Sequence, residues 1–170
     1  IAIDPQNIDY MMEMGWGHLN IGIVQLQSRQ KPDFGEQSFV SSIEWMNKAA
    51  TKRPEDSAIT NEIGNAYAWL ADSHYLRKDF VRSHDARRSE LDAKIKVAAT
   101  DTSNNAAQFE LAKARYAVAA NLIKLNRNPE ALPLLAAAQV QIWKLVRLEP
   151  RNREWQAVKS EIDTLKKMEN

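Results

Sequence analysis

The chain has no cysteine, which removes a disulfide scaffold, a thiol nucleophile and every thiolate-bound zinc or iron–sulfur centre from consideration. Glycine and proline are scarce, 5 and 6 in 170 residues, against averages of about 7% and 5%. An all-β fold with its many tight turns would need more of both, so helices are favoured. No apolar run is long enough to cross a bilayer. The most apolar stretch, 132–140 with Ile142 and Trp143, is broken by Gln139 and Gln141 and falls short of the roughly 20 residues a spanning helix requires. Charge of one sign is not in excess either. Lys and Arg number 23 against 22 Asp and Glu, so no whole-molecule field draws the chain to nucleic acid or anionic lipid. No nucleic acid is expected as a partner, and any protein or peptide must be recognised locally. The lack of cysteine suits the cytoplasm and the periplasm alike, and the compartment stays open with the cytoplasm slightly favoured. The opening Ile1-Ala2-Ile3, without an initiator methionine, suggests a piece of something longer.

What is present is repetition. Met14-Gly15 and Ile63-Gly64 are 49 residues apart, His18, Tyr67 and Tyr116 follow one another at 49 and 49, and Ala49-Ala50-Thr51 returns as Ala98-Ala99-Thr100. Pro5 and Pro54 share that spacing, and Leu148-Glu149-Pro150 echoes Ile3-Asp4-Pro5 with a slightly shortened last period. These markers divide a single domain, 1–170, into units of approximately 6–54, 55–103 and 104–150, with a tail at 152–168.

Each unit reads as two helices. Ile59, Ile63, Ala66, Tyr67, Leu70 and Ala71 recur at steps of three and four, which places them on one helical face. After Arg77-Lys78-Asp79 a second helix carries Val81, Leu91, Ile95 and Ala98. In the third unit Phe109, Ala112, Tyr116, Ala119 and Ile123 form the first helix. Asn128 reads as an N-cap with Pro129 as the first helical residue, and Pro133 predicts a kink or a late start. In the first unit the break falls near 31–35. Trp155, Val158, Ile162 and Leu165 predict a last amphipathic helix with a charged outer face, as a capping helix requires.

These residues resemble the tetratricopeptide repeat family. Its pattern of a large residue, Leu-Gly, Tyr, then Ala, Phe and a closing Pro is similar to Met11, Met14-Gly15, His18, Ser42, Met46 and Pro54. The second unit offers Thr60, Ile63-Gly64, Tyr67, Leu91, Ile95 and Ser103. The third offers Phe109, Ala112-Lys113, Tyr116, Ala138, Ile142 and Pro150. The distance between the helices is longer than in the 34-residue family by about four helical turns, which predicts hairpins with both arms lengthened. The resemblance implies an all-α, right-handed superhelix of three elongated antiparallel hairpins plus the C-terminal capping helix. It also implies a concave groove lined by the first helices. Groove positions fall on Met12, Trp16, Leu19 and Asn20, on Asn61, Asn65, Ala68 and Trp69, and on Glu110, Ala114 and Val118. Asn61 and Asn65 could pair with an extended peptide backbone, and Trp16 and Trp69 could supply stacking surface, unless both tryptophans only pack between repeats. Family members that hold a chaperone's acidic tail use a clamp of basic residues and asparagines; the third-unit positions that should be basic are Ala107 and Leu111, so that partner is not expected.

The implied function is a non-catalytic protein-interaction scaffold that takes a peptide or a partner domain. Similar long-armed repeats are appended to bacterial signalling proteins, so other domains of its own chain are candidate partners. The first alternative is self-association as a homodimer through an apolar face around Ile8, Met11 and Met14 left open by truncation. The second is a small enzyme or metal site around His74 and His84, with Asp72, Asp79 and Asp85 nearby. These histidines lack the three- or four-residue spacing that converges ligands on one ion, and Ser83-His84-Asp85 cannot form a triad because adjacent helical residues point apart. Gly15-Trp16-Gly17 lacks the rest of a nucleotide fingerprint. No cofactor or metal is therefore expected, and the chain is not read as an enzyme. The basic residues Arg77, Lys78, Arg82, Arg87, Arg88, Lys94 and Lys96 interleave with Asp79, Asp85, Glu90 and Asp92, which predicts a solvated helix face laced with ion pairs.

Overall fold

In a computed structural model, which describes residues 6–28 and 32–168, the chain is all-α: seven helices and no strand among the described residues. They are α1 (Ile8–Gln27), α2 (Pro32–Lys52), α3 (Ser57–Leu76), α4 (Phe80–Thr100), α5 (Asn105–Lys124), α6 (Asn128–Leu148) and α7 (Arg153–Met168). The Ile3-Asp4-Pro5 motif and Lys31 lie outside the described residues. The rest of the break expected near 31–35 is already helical, because α2 starts at Pro32, where proline is accommodated in the first turn of a helix. No described helix is long and apolar enough to cross a membrane.

The repetition is built into the helix ends. The first helix of each hairpin, and α7 after them, starts on a short polar side chain that accepts from the exposed N–H groups of the first turn. Asn7 accepts from Asp9 N at 2.8 Å, Asp56 from Ala58 N at 3.0 Å, Asn104 from Ala107 N at 3.1 Å and Asn152 from Trp155 N at 3.2 Å. These caps are 49, 48 and 48 residues apart. Two of the hairpins also close identically. Lys78 and Asn126 sit at φ 61° and 57°; around them Asp79 N bonds His74 O at 2.9 Å and Arg127 N bonds Leu122 O at 2.8 Å. That paired reversal satisfies the last carbonyls of a helix through one left-handed residue.

The period is therefore 48 beyond the first turn, not 49. Four residues separate α1 from α2, but three separate α3 from α4 and α5 from α6. The missing residue shifts the second-helix register, and two expectations fail with it. Glu90 and Lys94, rather than Leu91 and Ile95, match Ser42 and Met46 of α2 and Ala138 and Ile142 of α6. Val81 and Ile95 are 60% and 44% exposed, whereas Glu90 and Lys94 are 6% and 2% exposed. Tyr67 likewise matches Arg115, one residue before Tyr116. At the start of α6, Arg127 is the cap residue and makes no side-chain cap bond; Asn128 already belongs to the helix. Pro133 lies within α6 and does not delay its start: its missing N–H falls at an exposed position.

The chain divides into two compact units, one ending at Ala93 and one beginning at Lys94. In the first, Met11, Leu19 and Leu26 of α1 meet Phe39, Ile43 and Met46 of α2, with Ile59, Ala66 and Leu70 of α3 closing the cluster. Close approach of α1 to α2 requires Gly22. A Cβ there would stand 2.6 Å from the Phe39 ring, and Phe39 is fully buried. In the second unit Phe109, Ala138, Ile142 and Leu145 are covered by Trp155 and Ile162 of α7, with the Phe109 and Trp155 rings 6.0 Å apart. This is the capping contact expected of the last helix.

Candidate functional site

The first helices of neighbouring hairpins, α1 and α3, enclose a cleft of about 390 Å³ within the first unit. Its floor is apolar, made by Ile8, Met12 and Ile59, and Trp16 forms one wall. The opposite wall is Asn61 and Glu62 of α3. The Trp16 indole N–H donates to Glu62 Oε2 at 3.2 Å, which fixes the ring while leaving it 39% exposed. Helical geometry explains the grouping: Met12 and Trp16 are one turn apart, and so are Ala58 and Glu62. Charge in the cleft is one-sided. Among the described residues, Asp9, Glu13, Asp56 and Glu62 line it together with a single cation, Arg53.

Three of the sequence-predicted groove residues, Met12, Trp16 and Asn61, therefore line one cleft. Met12 does so as floor rather than wall, because it is only 7% exposed. Asn65 stands one turn from Asn61 and donates to Glu62 Oε1 at 3.4 Å. Trp69 is partly buried, packs against the first core and stacks on Phe39 with centroids 6.4 Å apart and planes at 16°; it does not line this cleft. Asn20 is exposed but does not line this cleft. Glu110 belongs to the second unit, where it accepts from Lys113 at 3.0 Å. Leu19, Ala114 and Val118 are buried and offer no groove surface. Glu13 and Glu62 were missed by sequence reasoning. The signal that could have found them is position: one lies a turn before Trp16 and the other beside Asn61.

The histidine region is occupied by ion pairs. His74 is 5% exposed, and its Nδ1 lies 2.8 Å from Arg77 Nη2. Arg77 and Arg82 both reach Glu36 of α2. Burial pulls the His74 pKa below its ordinary value, with the Arg77 and Arg82 charges acting in the same direction and Glu36 and Asp79 opposing. His84 is also buried. No group of three His, Asp or Glu among the described residues is arranged to hold a metal ion.

The basic stretch does form ion pairs, but not all of it is a solvated face. Arg87 bridges Asp72 of α3 and Glu90 of its own helix. Although burial pulls it down, Glu90 and Asp72 together push its pKa up; burial dominates at Asp72, whose carboxyl is raised.

Of the residues expected to drive self-association, Met11 is 4% exposed inside the first core, Ile8 packs against that core and also lines the α1–α3 cleft, and Met14 is half-buried. Against known proteins, no family model matches the chain, and no curated protein matches it.

Proposed function

We propose that this chain is a tetratricopeptide-like, non-catalytic interaction module that holds a peptide segment of a partner, or of another domain of its own chain, between α1 and α3. The observation that carries this reading is the cleft itself. It has an apolar floor, an indole wall held in place by Glu62, and a carboxamide at the position of Asn61. Such a combination suits an extended peptide: an apolar side chain reaches the floor, and Asn61 meets backbone amides. The acidic lining selects a segment carrying lysine or arginine, because opposite charge steers encounter and like charge is rejected.

The reading is tested by selecting a random twelve-residue peptide library on the purified chain. Selected peptides are expected to carry a basic residue beside an apolar one. Trp16→Ala and Asn61→Ala each weaken their binding by about tenfold or more, the loss of one good interface contact of roughly 1.4 kcal/mol. Selection of no consensus, or binding that both variants leave unchanged, overturns it.

A further inference from the structure

Arg115 of α5 differs from the other partly buried arginines. Arg77 and Arg87 each reach carboxylates, whereas Arg115 meets a neutral amide: Nη1 donates to Gln141 Oε1 of α6 at 2.6 Å. That amide is itself fixed. Gln141 Nε2 donates to Gln108 Oε1 at 2.6 Å, and Gln108 Nε2 donates to the Ala98 carbonyl at 3.2 Å. A backbone carbonyl can only accept, so it sets the orientation of Gln108, which sets that of Gln141, which leaves a carbonyl oxygen facing the guanidinium. The relay aims Arg115 without neutralising it. Burial pulls the Arg115 pKa down.

The guanidinium opens on a cleft of about 530 Å³ between α5 and α6 in the second unit. Lys144 adds a second cation, and Leu111, Ala137 and Val140 give an apolar side. No aspartate or glutamate is among the described residues that line it. Val140, on its rim, is 57% exposed. A desolvated cation in a fixed orientation, with donors still available and an apolar strip beside it, matches a carboxylate carried on an apolar stretch of peptide.

We propose that the α5–α6 cleft binds an acidic peptide segment, with a carboxylate paired to Arg115, a second near Lys144, and an apolar neighbour against Leu111 and Val140. This site is separate from the α1–α3 cleft and does not rest on it, since Gln141, Lys144 and Val140 come from the second helix of a hairpin. It also has the opposite charge preference.

The test uses three fluorescein-labelled ten-residue peptides of leucine and alanine that carry two glutamates, two glutamines or two phosphoserines at the same places. Each is titrated with the whole chain and followed by fluorescence anisotropy. The glutamate peptide is expected to bind saturably and to weaken as salt is raised. The glutamine peptide and Arg115→Gln each weaken binding by about tenfold or more, as loss of a charge-assisted pair implies. Lys144→Glu, at an exposed position that folding tolerates, weakens it as well and decides the matter should Arg115→Gln fail to fold. Equal binding of the glutamate and glutamine peptides, no saturable binding, or indifference to both substitutions overturns the proposal. Tighter, Arg115-dependent binding of the phosphoserine peptide overturns the carboxylate assignment.

Discussion

The second helices of the three hairpins turn the same face inward with very different chemistry. In α2 the matched positions are Gly35, Phe39, Ser42 and Met46, and in α6 they are Ala131, Leu135, Ala138 and Ile142; apart from the small Gly35 and Ser42, this is ordinary apolar core. In α4 the same four positions are Ser83, Arg87, Glu90 and Lys94. Ser83 is fully buried and donates to the Ala71 carbonyl at 2.9 Å. Arg87 bridges Asp72 and Glu90. Equal helix lengths and similar caps therefore do not require an identical interior. Backbone periodicity is set by the ends of the helices, and the core between them can be apolar or ionic. The ionic version is the more vulnerable, because each charge depends on its neighbours to offset desolvation.

The sharpest break of that comparison is Arg87→Met beside Leu135→Met, each replacing one matched position by the same side chain. Leu135→Met conserves volume and costs less than about 1.5 kcal/mol. Arg87→Met takes the arginine from the buried Glu90 and costs about 3 kcal/mol, read as a shift of the urea midpoint. The double variant Arg87→Met, Glu90→Met recovers most of that loss, since replacing a whole buried pair by apolar groups is often neutral. If Arg87→Met costs no more than Leu135→Met, the charged interior is energetically equivalent to the apolar one and the contrast has no content.

Much of this architecture was legible in the sequence because helix ends are written in local chemistry. The breaks at the second and third hairpin turns and the amphipathic α7 announce themselves, and the hairpins emerged as three nearly equal units. The one cap expected, Asn128, instead lies inside α6, and the caps that act, Asn7, Asp56, Asn104 and Asn152, were not singled out. The error of one residue in the period has a physical origin. A turn can lose a residue without changing the face that a helix buries, and the apolar Leu91 and Ile95 then attract an alignment that belongs to Glu90 and Lys94. Charged residues at helical spacing read as a solvated face, and only tertiary packing reveals that Arg87 is half-buried and Lys94 buried. At the candidate site, Met12, Trp16 and Asn61 were legible as positions on first helices. The acidic lining was not, because Glu62 acquires its role by meeting Trp16 across 46 residues of sequence.

A second comparison holds structure constant and varies one residue. Lys78 and Asn126 occupy the same left-handed position at the same hairpin turn, where the Cβ of an L-residue crowds a carbonyl oxygen at a cost of about 1–2 kcal/mol and asparagine is tolerated better than lysine. Lys78→Gly is therefore expected to stabilise the chain by about 1 kcal/mol, and Asn126→Gly by a few tenths. Urea unfolding of the two variants measures the difference. Equal gains would mean that the Lys78 turn is not strained relative to its counterpart.

The smallest effect separates α3 from α5 through pH. His74 matches Leu122 one period later, and both are buried. The unfolded chain takes up a proton on His74 near the ordinary value of 6.5, but in the folded chain burial and the neighbouring arginines depress that value. Between the two the unfolded state binds more protons, so stability present above about pH 6.5 is lost as pH falls, and the loss levels off once the folded histidine is protonated as well. His74→Leu copies the third hairpin into the second and is expected to flatten this part of the stability profile between pH 8 and pH 5. Glu36 and Asp79, which face His74, remain in that variant. A slope in this window that survives the substitution unchanged assigns the effect to another group, and α3 and α5 would then differ in composition without differing in their response to protons.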